Sequence, residues 1–135
     1  MKLMLVALAL AGTVPAGAAP DLDAVAAAPG NHKILLENDQ VRVLQVEVAP
    51  GETEPVHEHR WPSVLHIQDA QPSVDISYDL RDGKLVEVGR RTLPGGRPPP
   101  ALWVPRQGAH AVRNMGTAPF RLLRVELKQA PPVSG

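Results

Sequence analysis

The sequence contains no cysteine, and only four of its 135 residues are aromatic. Without cysteine the chain can form neither disulfide bonds nor a lipid anchor on a cysteine. The aromatic residues are Trp61, Tyr78, Trp103 and Phe120. A hydrophobic core must therefore be built mainly from Val, Leu, Ile and Ala. Short runs of these residues between prolines and glycines favour an all-β chain.

The chain also lacks an excess of charge of either sign. Its 14 Lys and Arg residues balance its 14 Asp and Glu residues, so the formal net charge is zero. The basic residues form no stripe along the sequence. Because nucleic-acid binding depends on a positive surface, we do not expect nucleic acid as a partner.

Long hydrophobic runs are missing as well. The apolar run at 3–11 is short for a membrane span, which needs about 20 residues. It follows Lys2, is broken at 12–15, and is followed by the small residues Ala16-Gly17-Ala18. This order is typical of a secretory signal peptide. We predict a signal peptide over 1–18 and a secreted or periplasmic protein with no stable membrane span. An uncleaved anchor is the alternative.

The remaining residues predict one domain of ordinary size. Residues 19–31 are interpreted as an Ala-rich leader, which forms either a short helix or a loose segment. Residues 32–129 are the predicted barrel domain, and residues 130–135 are a flexible tail.

Alternating apolar and polar residues predict a series of short strands and no interior helix. The alternation is clearest in V-R-V-L-Q-V-E-V over 41–48, and Asp82-Gly83 is typical of a tight hairpin. Regularly spaced strands of this kind indicate a sandwich or barrel. The predicted strands are 33–37, 40–49, 55–59, 63–68, 73–80, 85–93, 101–105, 109–114 and 120–128.

Three histidines predict a metal site. His57 and His59 are two residues apart in a predicted strand, so their side chains share one face. His110 offers a third imidazole from a later strand. Three neutral imidazoles with open positions suit a divalent metal ion: Zn, Fe, Mn, Ni or Cu. The alternative is that these are ordinary pocket histidines.

Three further residues are predicted to line the same pocket: Ser63, Gln107 and Trp61. If Ser63 faces inward, alternation turns His66 outward. Gln107 is a candidate fourth ligand. Glu58 is another, although it is out of phase with the two histidines on its strand.

The other charged residues are assigned no role in the site. Arg113, Arg121, Arg124 and Glu126 are interpreted as an outward, solvated face. His32 lies at the boundary between the leader and the barrel domain and is assigned no role. We therefore expect no inward carboxylate beside the histidines, and no evident general base.

These residues resemble the two motifs of the cupin superfamily. Residues 51–59 follow G-x5-H-x-H, and residues 105–114 are similar to P-x-G-x2-H-x3-N, with the glycine displaced to Gly108. The resemblance implies an all-β, cupin-type jelly-roll barrel (double-stranded β-helix), often a homodimer, with a metal and a small molecule bound inside. The family pattern also implies a metal-binding glutamate, where this chain has Ser63 or Val64.

Three functions remain open from the sequence. The first is a metal-dependent, oxygenase-like or isomerase-like protein acting on a small molecule. The second is a non-catalytic periplasmic module that binds a small ligand or a metal. The third is a metal-free interaction protein. Cupin-type barrels host many activities, so the resemblance does not choose among these functions.

Overall fold

The computed structural model describes residues 19–128. The predicted signal peptide over 1–18 and the predicted tail over 130–135 lie outside these residues. The described part contains one helical turn, α1 (Ala24–Ala27), and a series of strands, as the sequence predicts. The strands are β1 (His32–Glu37), β2 (Val41–Val48), β3 (His57–His59), β4 (Ser63–Asp69), β5 (Ser73–Arg81), β6 (Lys84–Leu93), β7 (Leu102–Val104), β8 (Gln107–Asn114) and β9 (Phe120–Leu127).

The strands form two antiparallel sheets that enclose a cavity. The larger sheet has the order β1-β2-β9-β4-β7, and the smaller has the order β3-β8-β5-β6. Strands that are adjacent in space are often distant in sequence, as in β2-β9 and β3-β8. The arrangement confirms the predicted all-β jelly roll.

The core lies on the inner face of the larger sheet. Leu44, Val46, Leu65 and Leu122 are buried there in one cluster. Each belongs to a strand whose alternate residues face inward. In β2, every second residue from Arg42 to Val48 is therefore buried. The cluster is aliphatic, as the scarcity of aromatic residues predicts.

The leader is packed onto the barrel. Ala24 and Ala28 are fully buried, and the Glu58 backbone N–H donates to the Leu22 carbonyl at 2.6 Å. Asp23 caps α1 through a bond from the Val25 N–H at 3.2 Å. These contacts make the segment before β1 part of the folded domain. Among residues 19–128, no helix is long and apolar enough to cross a membrane.

The turn of the β5–β6 hairpin, at Asp82-Gly83, can be tested by substitution of its glycine. Asp82 and Gly83 have φ angles of 49° and 76°, which are the left-handed values of a two-residue hairpin turn. Space around Gly83 is open, so only the backbone conformation resists a side chain. Gly83→Ala should lower the free energy of unfolding by about 1 kcal/mol, measured by urea denaturation. Gly89→Ala, in open space on β6 without a positive φ, should cause no loss. Equal losses in the two variants would contradict this account.

Candidate metal centre

Four imidazoles lie together between the sheets. His57 and His59 come from β3, His110 from β8, and His32 from the first position of β1. All four are at most 6% exposed. The centroid of the His57 ring is 4.5 Å from those of His32 and His110 and 5.0 Å from that of His59.

Strand pairing brings these histidines together. His57 is directly opposite His110 in the β3-β8 ladder, and residues opposite each other share a face. His32 is opposite Val46, whose side chain lies on the inner face of β2. The sequence interpretation, which assigned His32 no role, therefore missed its place in the histidine cluster. The β1-β2 register would have revealed it, but register cannot be read from a single strand.

Each imidazole is held through its Nδ1 atom. His32 Nδ1 lies 3.0 Å from the Ala28 carbonyl oxygen, His57 Nδ1 2.9 Å from that of Pro55, and His110 Nδ1 2.8 Å from that of Gly108. A carbonyl oxygen can only accept, so Nδ1 carries the proton in all three. His59 Nδ1 lies 3.4 Å from a carboxylate oxygen of Glu126, which requires the same tautomer. Nε2 is then the free nitrogen of each neutral ring, and this arrangement is typical of metal-ligating histidines.

Burial keeps these rings neutral. It lowers the pKa of His32 to about 4 and that of His57 to about 3. Burial also lowers the pKa of His59 and of His110, and the positive charge of Arg124 acts in the same direction on each of the four rings. Neutral imidazole is the form that binds a metal ion.

A buried carboxyl group accompanies the histidines. Glu54 is 4% exposed, and its carboxylate oxygens lie 3.7 Å from His57 Nε2 and 4.0 Å from His32 Nε2. One oxygen accepts a 3.0 Å bond from the Val112 N–H, and the other has no hydrogen-bond partner. Burial raises the pKa of Glu54 to about 8. The expectation that no inward carboxylate is present was therefore wrong.

An irregular register turns Glu54 inward. His57 pairs with His110, whereas Thr53 pairs with Arg113, so this side of the ladder has one residue more than its partner. The extra residue shifts the alternation, as in a β-bulge. Counting back from His57 in steps of two would place Glu54 on the outer face, which is why the sequence pattern missed it.

The donor set fits a divalent metal ion. The ligand atoms of His32, His57 and His59 lie within 4.8 Å of one another, as do those of Glu54, His57 and His110. His57 belongs to both groups. Borderline ions such as Zn(II), Fe(II), Ni(II) and Cu(II) accept imidazole nitrogen with a carboxylate oxygen. The chain therefore has a histidine cluster that could hold a metal ion, and the assignment of His57, His59 and His110 as its ligands stays a prediction.

The histidines line a cavity of about 410 Å³. Its wall also contains Glu54 and Gln107, the latter from the start of β8, and the side chain of Arg124 from β9. The rest of the inner wall is largely aliphatic, including Val46, Leu65, Ile67, Leu102 and Leu122. A volume of this size suits a small organic molecule.

Two of the predicted pocket residues lie elsewhere. Ser63 is fully buried, but it contacts Arg124 and does not line the cavity. Trp61 is half-buried and lies outside the cavity wall, because the bend at 60–62 turns its ring onto Arg42 and Lys128. The Arg42 guanidinium carbon lies 5.2 Å from the ring centroid, and the Lys128 Nζ atom lies 5.6 Å from it. His66 is exposed, as the alternation of β4 predicts, and its Nδ1 donates to the Pro100 carbonyl at 2.7 Å.

Two residues interpreted as an outward face are instead buried. Arg124 is 5% exposed and Glu126 is 0% exposed, whereas Arg113 and Arg121 are exposed. Leu122, Arg124 and Glu126 alternate along β9 on its inner face. Glu126 links the histidine cluster to the leader, because it contacts His59 and accepts from Arg42 at 2.6 Å, and Arg42 also donates to both Asp23 oxygens at 2.8 and 2.9 Å. The candidate fourth ligand Glu58 is half-buried and faces Arg60 at 3.5 Å.

The sequence matches no protein-family model, and no curated protein matches it. Solved structures do match. A cupin domain from Bordetella pertussis Tohama I superposes with a TM-score of 0.52 at 19% identity, covering 73% of this chain and 92% of that one. An RmlC-like cupin family protein with a double-stranded β-helix fold from Methanocaldococcus jannaschii gives a TM-score of 0.48 at 14% identity, covering 71% and 77%. The polyketide cyclase RemF from Streptomyces resistomycificus superposes with a TM-score of 0.41 at 25% identity, covering 75% of this chain and 66% of that one. Together with the strand order above, the likeness to the Bordetella domain confirms the resemblance at the level of the fold: this chain has the double-stranded β-helix fold of the cupin superfamily.

Proposed function

We propose that this protein binds a divalent transition-metal ion through His32, His57, His59 and His110 and holds a small organic molecule in the adjoining cavity. One observation carries the proposal. All four imidazoles direct the Nδ1 proton to an acceptor, which leaves four Nε2 lone pairs in one buried cluster. Ordinary buried histidines have no need for a common tautomer, whereas metal ligands do.

The remaining residues would shape the chemistry around the ion. A metal bound there would polarise a carbonyl or enolate oxygen of the bound molecule. Glu54 supplies a buried carboxyl group beside the histidines, which in its ionised form would serve either as a further ligand or as an acceptor of a proton from that molecule. The aliphatic part of the wall presents an apolar surface to the bound molecule. These residues support an oxygenase-like or isomerase-like protein more than a metal-free interaction module. Export of the mature chain and a homodimer remain part of this proposal.

Metal content tests the proposal directly. Wild-type protein, stripped with chelator and dialysed separately against Zn(II), Mn(II), Fe(II), Ni(II) and Cu(II), should retain about one ion per chain of at least one metal. His57→Ala should reduce the retained metal about tenfold or more, since His57 belongs to both ligand groups. Elemental analysis measures the content, and circular dichroism confirms that the variant is folded.

The matched control is His66→Ala, which removes an exposed imidazole from β4. It should retain as much metal as wild type. His32→Ala and His110→Ala should each lose metal, and the larger loss identifies the stronger ligand group. Wild-type protein that retains none of the five metals, or equal retention in wild type and His57→Ala, would contradict the proposal.

A further inference from the structure

The cavity wall contains a buried cation with no ionic partner. Arg124 is 5% exposed. Its Nη1 donates to the Ser63 hydroxyl at 3.1 Å, and its Nη2 donates to the side-chain oxygen of Gln107 at 2.7 Å. Both partners are neutral. The buried Nε–H has no hydrogen-bond partner, so the guanidinium still has donors to offer.

The nearby carboxylates Glu126 and Glu54 lie closer to other groups than to Arg124. Glu126 is paired with Arg42 at 2.6 Å and with His59 at 3.4 Å. Glu54 lies against His32 and His57. Within residues 19–128, no Asp or Glu lies within ion-pair distance of Arg124. Burying a cation without a counter-charge is costly, and a metal ion in the adjacent cluster would add further positive charge. An anion that enters the cavity would balance the charge of Arg124 and that of the metal ion.

The shape and lining of the cavity indicate which anion fits. Arg124 is deep in the wall, and Arg91 and Arg97 are exposed on the same lining, where they would attract an anion from solvent. Arg91 also lies 3.5 Å from Asp75. The aliphatic part of the wall suits an apolar body. A planar carboxylate matches the edge of a guanidinium through two parallel N–H donors, which a single neutral carbonyl cannot do.

We infer that the cavity binds a small organic acid whose carboxylate is held by Arg124 and whose apolar part packs against the aliphatic wall. Arg124 is thereby a specificity-determining residue. The inference deepens the proposed function, because the same molecule would approach the metal. The contact with Arg124 is nevertheless present in metal-free protein, so the two ideas can fail separately.

The experiment compares acids with their own amides. The probes are benzoate, phenylacetate and cyclohexanecarboxylate, each paired with its neutral amide, and binding is measured by isothermal titration calorimetry. Protein is used once with chelator and once with the metal that it retains. In wild type, at least one acid should bind about tenfold or more tighter than its amide in both conditions, because a charge-assisted contact is lost in the amide. If no acid is preferred over its amide in chelated wild-type protein, the inference is overturned.

A matched pair of variants assigns the preference to Arg124. Arg124→Gln should bind each acid and its amide equally. Arg121→Gln, which removes an exposed arginine three positions earlier on β9, should keep the wild-type preference. A preference that survives in folded Arg124→Gln overturns the inference. If Arg124→Gln does not fold, the wild-type comparison decides.

Metal analysis of the same samples separates this result from the proposed function. An acid preference that depends on Arg124 in protein that retains no metal would support the anion site and contradict the metal site. An acid preference that appears only with metal, and equally in Arg124→Gln, would support the metal site and overturn the role of Arg124.

Discussion

Replacing Arg42 by methionine is expected to destabilise the protein by about 3–5 kcal/mol. Arg42 is 6% exposed, and it is the cation that pairs with the fully buried Glu126. Burial alone would lower the pKa of Arg42, but its bonds to Asp23 and Glu126 raise that pKa, so it is charged at every ordinary pH. Methionine keeps much of the side-chain volume but removes the charge. The Glu126 carboxylate would then remain buried with only the His59 Nδ1–H as a partner, at 3.4 Å.

The matched control is Arg121→Met on β9. Arg121 is exposed and forms a 3.3 Å ion pair with Glu47 at the surface. An exposed pair of this kind contributes at most about 1 kcal/mol, so the loss should be small. Urea denaturation at constant pH measures both variants.

A double variant tests the physical reason. If the loss comes from an uncompensated buried charge, then Arg42→Met combined with Glu126→Gln should be more stable than Arg42→Met alone, because the buried charge has gone. A double variant that is less stable than the single one would show that the loss comes from packing and not from charge. The same result would contradict the central role given to this ion pair.

Much of the fold could be predicted because strand alternation is a local property. The strand β2, the hairpin at Asp82-Gly83 and the outward His66 follow from two-residue periodicity and turn chemistry alone. The proximity of His57 to His110 was expected from two motifs and is realised by direct pairing of β3 with β8. Each of these features depends on a short stretch of sequence.

The missed residues depend on non-local geometry. His32 belongs to the site because of its register with β2, and Glu54 because one extra residue shifts the alternation before His57. Arg124 and Glu126 have the right periodicity for the inner face, but charged residues in a strand are normally placed outside. The burial of Glu126 is explained by its ion pair with Arg42, which lies 84 positions away in the chain. His32, Glu54, Arg124 and Glu126 could therefore not be assigned to the site from the pattern of single strands.

Metal-free protein is expected to lose stability steeply as the pH falls below about 6.5. A histidine whose folded pKa lies below its ordinary value of 6.5 takes up a proton more readily in the unfolded chain. Its contribution is therefore present above pH 6.5 and is lost as the pH falls towards the folded pKa, about 4 for His32 and about 3 for His57. The pKa values of His59 and His110 are lowered in the same direction. Each such histidine reduces the free energy of unfolding by about 1.4 kcal/mol per pH unit.

Glu54 acts in the opposite direction. Its folded pKa of about 8 is above its ordinary value of 4.5, so it adds stability as the pH falls from 8 to 4.5. Arg124, the guanidinium beside the rings, keeps its charge in this range because burial lowers its pKa only to about 10. Because the loss from His32 and His57 is opposed by one carboxyl group, these three groups leave a net loss of about 1.4 kcal/mol per pH unit between 6.5 and 4.5, and His59 and His110 add to it. A domain near the lower end of the usual stability range of about 5–15 kcal/mol would lose a large part of its stability within that interval.

The measurement is the urea midpoint of chelated protein at several pH values from 8 to 4.5, followed by circular dichroism. His32→Gln should reduce the slope of stability against pH, because one of the neutral buried rings is gone, whereas His66→Gln should leave the slope unchanged. Added metal should move acid unfolding to lower pH, since an ion bound only by the folded state opposes protonation of its ligands. Stability that stays level between pH 7 and 5 in chelated wild type would show that these histidines are not held neutral by burial. It would also remove the tautomer argument on which the metal site depends.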